Sequence, residues 1–490
     1  MATKAKQWGA IIVMIALFAM IAFVTNLCSP MAVIVKNQFG ASNFLSQIGN
    51  YGNFIAYLIM GIPSGMLIKK FGYKKTSLIA LAVGIIGILV QWASGKYGFG
   101  VYLIGAFISG FCMCMLNTVV NPMLNLLGGG GNKGNQLIQI GGVFNSAAAV
   151  AVYIIMGALI ADATKAKISD ATPALLIALA IFVIGFIVIL FTKIEEPQQP
   201  EEVKSEVKDK YSAFSFRHFK LGILAIFLYG GIEVGTPTYI MQYLTADTEE
   251  IKDIKANALT QYSQESLTIE ETAKIILNPQ NDINYKYDEK DIESTIKKIN
   301  DGNISIDSVT KATPGRSMKG DIVGLIVAVY WLMMLIGRFI GGAVGSKVSS
   351  KAMVTTVSIA AIILVLFGMF APTSLMVKVP GIDWANLSVI WAEVPVGIFA
   401  FILVGLCTSV MWGAIFNLAT EGLGKYTAIA SGAFMTMVFG FAIMVGLQGA
   451  VADWTGNYMT SYVVVLACAA YILFYALIGS KNVNKDIPVE

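Results

Sequence analysis

The sequence predicts an all-α membrane protein of twelve transmembrane helices in two six-helix halves, with a polar extracytoplasmic insertion between helices 7 and 8. Three observations carry that expectation. Hydrophobic residues make up 56% of the 490 residues and charged residues 13%, roughly half the charged share of a soluble domain, and mean hydropathy is +0.71. A soluble fold of that makeup would aggregate. Apolar runs of about 20 residues, each long enough to cross a ~30 Å hydrocarbon layer, recur from end to end. A polar, proline-punctuated stretch interrupts the series near its middle, with six runs on either side.

The runs fall near residues 9–32, 45–68, 76–94, 99–126, 137–161 and 173–193, then 219–244, 321–346, 352–371, 394–420, 426–451 and 458–479. They divide the chain into an N-terminal half (1–193), a linker (194–218) containing the Glu-Glu-Pro-Gln-Gln-Pro-Glu-Glu run, and a C-terminal half (219–490) that includes the insertion at 245–320. The first run follows Lys4 and Lys6 like a signal peptide, but it continues to Ala32 without an A-x-A cleavage pattern and reads as a retained span. Orientation follows from the basic residues of short loops. With the N-terminus inside, one side collects Lys4, Lys6, Lys69, Lys70, Lys74, Lys75, Lys133, Lys347, Lys351, Lys425, Lys481 and Lys485. The other short loops hold only Lys36, Lys96, Lys165, Lys167 and Lys378. Both termini are therefore expected in the cytoplasm, in a chain of the inner membrane whose solvent is the lipid bilayer.

Net charge is only +4 and the basic residues are scattered, so no nucleic-acid footprint is present. Cys28, Cys112, Cys114, Cys407 and Cys468 all fall inside apolar runs, and without histidine nearby the Cys112/Cys114 pair cannot complete a metal site. No cofactor is expected. The chain has no His-Glu-x-x-His, no paired intramembrane aspartates and no serine with a histidine base, so an enzyme is not expected either. Within the insertion, the Ile and Leu spacing at 269–277 and 292–299 suggests short amphipathic helices forming a small cap, with a solvated loop as the other reading.

Polar side chains at membrane depth either pair with one another or line a wet cavity, because hydrocarbon offers them no water. Asn26, Asn117, Asn121, Gln139, Asn145, Asn417 and Gln448 are such residues, and Asn117 and Asn121 share one helix face. Amides suit sugar hydroxyls, since each offers donors and an acceptor. Interhelical bonding is the competing reading for each of them. Glu233 stands thirteen positions after Lys220, so at ~1.5 Å per residue it lies ~20 Å into its helix. A lone carboxylate there would be protonated, or would bind a cation or solute hydroxyls. Arg338, near the end of the run at 321–346, reads as a snorkelling or carbonyl-capping residue, and His218 as an interfacial one. Trp412 could stack on the apolar face of a pyranose.

Two basic words stand at corresponding places, Gly65-Met-Leu-Ile-Lys-Lys-Phe-Gly-Tyr-Lys-Lys75 and Gly341-Gly-Ala-Val-Gly-Ser-Lys-Val-Ser-Ser-Lys351, as an internal repeat requires. Together with Asn26-Leu27, Asn121-Pro122, Phe144-Asn145-Ser146, Tyr229-Gly-Gly-Ile-Glu233, Gly337-Arg338-Phe339, Ile415-Phe416 and Gly422-Leu-Gly-Lys425, they make the chain resemble the major facilitator superfamily. Within it, the chain resembles the fucose:proton symporter family, which includes glucose/galactose permeases. The resemblance implies a monomeric hexose-type permease working by alternating access. Asn26, Asn117, Asn121, Gln139, Asn145, Glu233, Trp412 and Asn417 would face the solute, and Glu233 would be the candidate for Na⁺ or H⁺ coupling. It also exposes a departure: Ser29 and Asn117 stand where that family's pattern has carboxylates in helices 1 and 4, and neither releases a proton in a useful range. A membrane sensor keeping the transporter fold and a multidrug exporter are the alternatives.

Overall fold

The computed structural model describes residues 2–39, 43–159, 168, 171–192, 211–283, 285–318, 320–383, 387–484 and 486–489. The linker residues 194–210, Lys165, Lys167 and the side chain of Ser29 lie outside what is described. The N-terminal helices are α1 (Ala2–Phe39), α2 (Asn43–Tyr97), α3 (Phe99–Leu127), α4 (Gly131–Leu159) and α5 (Thr172–Phe191). At ~1.5 Å per residue α2 would be ~80 Å long, far beyond a bilayer. Gly72 (φ 79, ψ 173) breaks it into two rods inside the first basic word. That backbone conformation is open to glycine and strained for other residues.

The C-terminal helices begin with α6 (Arg217–Gly230), a π-helical turn (Gly231–Gly235) and α7 (Thr236–Thr245), which run on as one span. Next come α8 (Glu249–Ser263), α9 (Ile269–Leu277), α10 (Glu289–Asn300) and α11 (Ile306–Thr310). Then follow α12 (Gly320–Val344), α13 (Ser350–Phe370), α14 (Val396–Thr408), α15 (Met411–Thr420), α16 (Thr427–Thr436), α17 (Gly440–Thr455), α18 (Tyr458–Ser461) and α19 (Val463–Phe474). Among the described residues, ten helices are long and apolar enough to cross a membrane.

The sequence reading placed only a loop between α13 and α14, and this is corrected. An antiparallel hairpin, β1 (Met376–Asp383) and β2 (Ser388–Pro395), joins them. Its inner positions, Val379, Ala392 and Val394, are buried, but the outward positions Val389 and Trp391 are apolar too. The alternation that marks a half-buried strand was therefore hidden.

Where the N-terminal helices meet the C-terminal ones, small residues bring backbones together. A Cβ on Gly61 would fall on the backbone of Thr436, and one on Gly65 would meet the carbonyl of Ala428 at 2.7 Å. Alongside, Gln136 donates to the Gly342 carbonyl (2.9 Å) and Asn135 to the Met353 sulfur (3.2 Å). These contacts of α2 with α16, and of α4 with α12 and α13, adjoin the basic stretches Lys69–Lys75, Lys133, Lys347–Lys351 and Lys425. The two sets of helices are in direct contact at the basic end.

Helices α8 to α11 are locally specified. Thr248 caps α8, Thr268 and Glu271 form a capping box on α9, and Ser305 with Ser308 forms one on α11, each satisfying amides that a helix start leaves orphaned. The chain returns to the place it left: the amides of Gly315, Arg316, Ser317 and Met318 donate to the carbonyls of Asp247, Tyr243, Ala246 and Leu244 at 2.7 to 2.9 Å. Because that base is self-contained, deleting residues 248–311 with a short Gly/Ser bridge is expected to leave the remaining helices folded. A monodisperse gel-filtration peak and a Tm within a few degrees of wild type check this; aggregation would show that α8 to α11 hold the fold together.

Candidate functional site

The middle of the α6–α7 span is built to be irregular. Gly230, Gly231 and Gly235 surround Glu233, and Pro237 has no amide to give the carbonyl four residues earlier, which is that of Glu233. A π-helical turn forms there, as such turns do at functional positions. The orphaned acceptors are served from α12: the Tyr330 hydroxyl donates toward the carbonyls of Glu233 (3.1 Å) and Ile232 (3.3 Å).

The Glu233 carboxylate points at Arg338, also on α12, with 3.7 Å between Oε1 and Nη2 and only 13% and 12% of the two side chains exposed. The other guanidinium nitrogen, Nη1, donates across to α4, to Ser146 Oγ (2.7 Å), Asn145 Oδ1 (3.1 Å) and the Gly142 carbonyl (3.2 Å). Asn145 in turn donates to the Phe18 carbonyl of α1 (2.9 Å). One cation thus ties three helices around a carboxylate.

Beside this lies a second polar cluster with an aromatic wall. Trp412 Nε1 donates to Asn121 Oδ1 (3.2 Å), Asn121 Nδ2 to the Asn117 carbonyl (2.9 Å), and Asn117 Nδ2 to the Tyr57 hydroxyl (2.6 Å). The Trp412 ring packs near Phe434, Tyr229 and Phe441, at centroid distances of 5.8, 6.2 and 6.4 Å. Tyr229 stands one helical turn before Glu233 and so joins the two clusters.

The structure brings together Asn117, Asn121, Asn145, Glu233 and Trp412. Three other expected residues are bonded to other partners. Gln139 donates to the Val410 carbonyl (3.0 Å) at the break between α14 and α15. Asn26 bonds within its own helix to Ala22 (2.8 Å), and Asn417 bonds Ser350 (2.8 Å) between α15 and α13.

One reading is corrected: Glu233 is not a lone carboxylate, because Arg338, while capping the Gly142 carbonyl, reaches inward to it rather than snorkelling to water. His218 stands in the first turn of α6 and is buried there by protein, with a ring nitrogen 3.0 Å from the Glu421 carbonyl and with Phe216 and Tyr426 packed at the same helix start. Sequence reasoning missed Tyr57 and Tyr330, whose hydroxyls are invisible in a hydropathy profile, and Ser146, the small hydroxyl next to Asn145. Among the described residues no group of three His, Cys, Asp or Glu side chains could hold a metal.

The family description Major Facilitator Superfamily matches residues 13–258. Over 485 residues, 97% of this chain and 96% of the relative, the chain is 27% identical to a glucose/galactose transporter of Brucella abortus (strain 2308). It is 25% identical to a putative glucose/galactose transporter of Helicobacter pylori (strain J99) over 95% of this chain and 96% of that one. Identity to the L-fucose-proton symporter of Escherichia coli (strain K12) is 20%, over 96% and 92%. In structure the chain is similar to a crystal structure of the Escherichia coli fucose:proton symporter, with TM-score 0.70, 18% identity and coverage of 96% and 99%. It is similar to the same extent (TM-score 0.70, 19% identity, same coverage) to that transporter in the outward conformation.

Asn417 is bonded to Ser350 rather than to a member of the clusters, so its substitution separates packing from binding. Asn417→Ala strands the Ser350 hydroxyl and is expected to cost about 1 kcal/mol of stability, the scale of one buried hydrogen bond, while leaving solute affinity unchanged. A thermal-shift and binding measurement checks both; a tenfold loss of affinity at wild-type Tm would put Asn417 in the site.

Proposed function

The chain belongs to the major facilitator superfamily, and from that premise we propose that it is a secondary transporter moving a neutral hexose or related sugar across the inner membrane by alternating access. The observation that carries this reading is the meeting of Glu233 and Arg338 with Asn145 beside the Asn117, Asn121 and Trp412 cluster, on helices from both ends of the chain. Buried groups of this kind are costly unless they serve one another or a solute. One carboxylate and one guanidinium cancel, so the site favours a solute without net charge. Amides and tyrosine hydroxyls can exchange their present bonds for sugar hydroxyls, and the Trp412 ring offers an apolar face for a pyranose. The names of the relatives, glucose/galactose transporter and L-fucose-proton symporter, point to the same solute class.

On this reading the chain has twelve spans in two halves, 1–193 and 219–490. Gly72 splits one of the ten long apolar helices into two spans, and α4 supplies the remaining one. The basic end faces the cytoplasm, so the shut end is the inner gate and helices α8 to α11 stand outside. The chain acts as a monomer in the bilayer. Ser29 and Asn117 release no proton in a useful range, which leaves Glu233 as the group that an accompanying Na⁺ or H⁺ would engage.

Radiolabelled glucose, galactose and fucose in proteoliposomes, with Na⁺ and pH gradients imposed separately, test transport and coupling together. Sugar binding without uptake would favour a sensor. Glu233→Gln is expected to abolish gradient-driven accumulation, to leave counterflow measurable, and to lower sugar affinity roughly tenfold, the effect of losing ~1.4 kcal/mol of hydrogen bonding. Wild-type affinity, accumulation and counterflow in both the Gln and Ala variants would remove Glu233 from the site.

A further inference from the structure

We propose that Arg338 is the latch behind the inner gate, a positioning residue whose guanidinium, at the depth of Glu233, holds the two sets of helices together while the basic end is shut and is released to Glu233 when they part. The proposal rests on the alternating-access reading above. Both Arg338 and Glu233 belong to the C-terminal helices, whereas all three Nη1 acceptors, Ser146 Oγ, Asn145 Oδ1 and the Gly142 carbonyl, belong to α4. Gly142 leaves the room this requires, since a Cβ there would come within 3.2 Å of Arg338 Cδ. The grip on α4 is made entirely to neutral acceptors, for α4 contains no acidic residue. The grip on Glu233 is a charge pair, but at 3.7 Å it is longer than the 2.7–2.9 Å of a closed N⁺–H···O⁻ bond.

The guanidinium therefore has two partial sets of partners, one on each side of the divide. When α4 moves away, Nη1 loses its three acceptors to water while Nη2 can close on the carboxylate. Neither state strands the buried charge, which is what a two-state element requires. Lysine keeps the charge but not the planar fork that reaches both sides.

Spin labels at Lys133 and Lys347 test the latch. These exposed positions, the first turn of α4 and the residues just after α12, stand at the basic end, and in purified protein free of native cysteines their separation reads whether that end is shut. In wild type the short distance should dominate. Arg338→Lys and, independently, Ser146→Val should each raise the long-distance population about tenfold, the effect expected from losing one hydrogen bond to a charged group. Ser146→Val leaves the Glu233–Arg338 pair in place and decides the matter if Arg338→Lys does not fold. Gly61→Leu serves as a wedge, because it forces α2 from α16 without touching Arg338. If the wedge lengthens the distance and the other two variants lower Tm without changing the distribution, Arg338 is a structural pair and the latch is wrong. If the wedge also leaves the distance unchanged, the basic end is not a gate and the alternating-access reading fails with it.

Discussion

A full positive charge at membrane depth is the constraint on which the rest of this structure depends. The Arg338 guanidinium is all donor and no acceptor, so its surroundings must supply acceptors wherever it sits. They come from a carboxylate on one side and from a serine, an asparagine and a backbone carbonyl on the other. Asn145 can serve because its own amide is spent on Phe18, and Gly142 can serve because it has no side chain. The arrangement makes α1, α4, α12 and the α6–α7 span mutually dependent through one group of atoms.

The small residues follow a related logic. Hydrocarbon gives helices no hydrophobic reason to associate, so close approach of backbones must do so. Gly61 and Gly65 against Ala428 and Thr436, and Gly345 against Gln136, put backbones in direct contact at the basic end. Such contacts are strong only when complete, because dispersion falls off within an ångström. An interface of this kind has a shut state and an open one, with little between.

The helical character of the chain was legible because length and hydropathy are properties of single segments. The two rods of α2 were separable in the sequence because Gly72 sits among lysines, and the short helices α9 and α10 showed in their Ile and Leu spacing. The hairpin was not legible, because both faces of β2 carry apolar residues. In the site, Glu233 stood out by charge alone and the Asn117–Asn121 pair by spacing. Partnership did not: 105 positions separate Glu233 from Arg338 (338 less 233), and nothing local in either helix names the other. Gln139 and Asn417 look like Asn121 in the sequence. They differ only in what folding sets opposite them, a carbonyl at a helix break for one and a serine hydroxyl for the other.

The wide turn at Gly231–Gly235 has a consequence for helical phase. A π-turn spends about one residue more than an α-turn, so everything after it is rotated by roughly 100° relative to an uninterrupted helix. With that offset Tyr239 reaches the Val445 carbonyl (3.0 Å) and Tyr243 meets the Tyr458 ring at 6.2 Å. The same offset orients Tyr243, Leu244 and Ala246, whose carbonyls receive the returning chain at Arg316, Met318 and Ser317. The azimuth of the far end of the span is thus fixed beside Glu233. A return of that turn to plain α geometry would act as a screw, displacing both tyrosines and the base of α8 to α11 together.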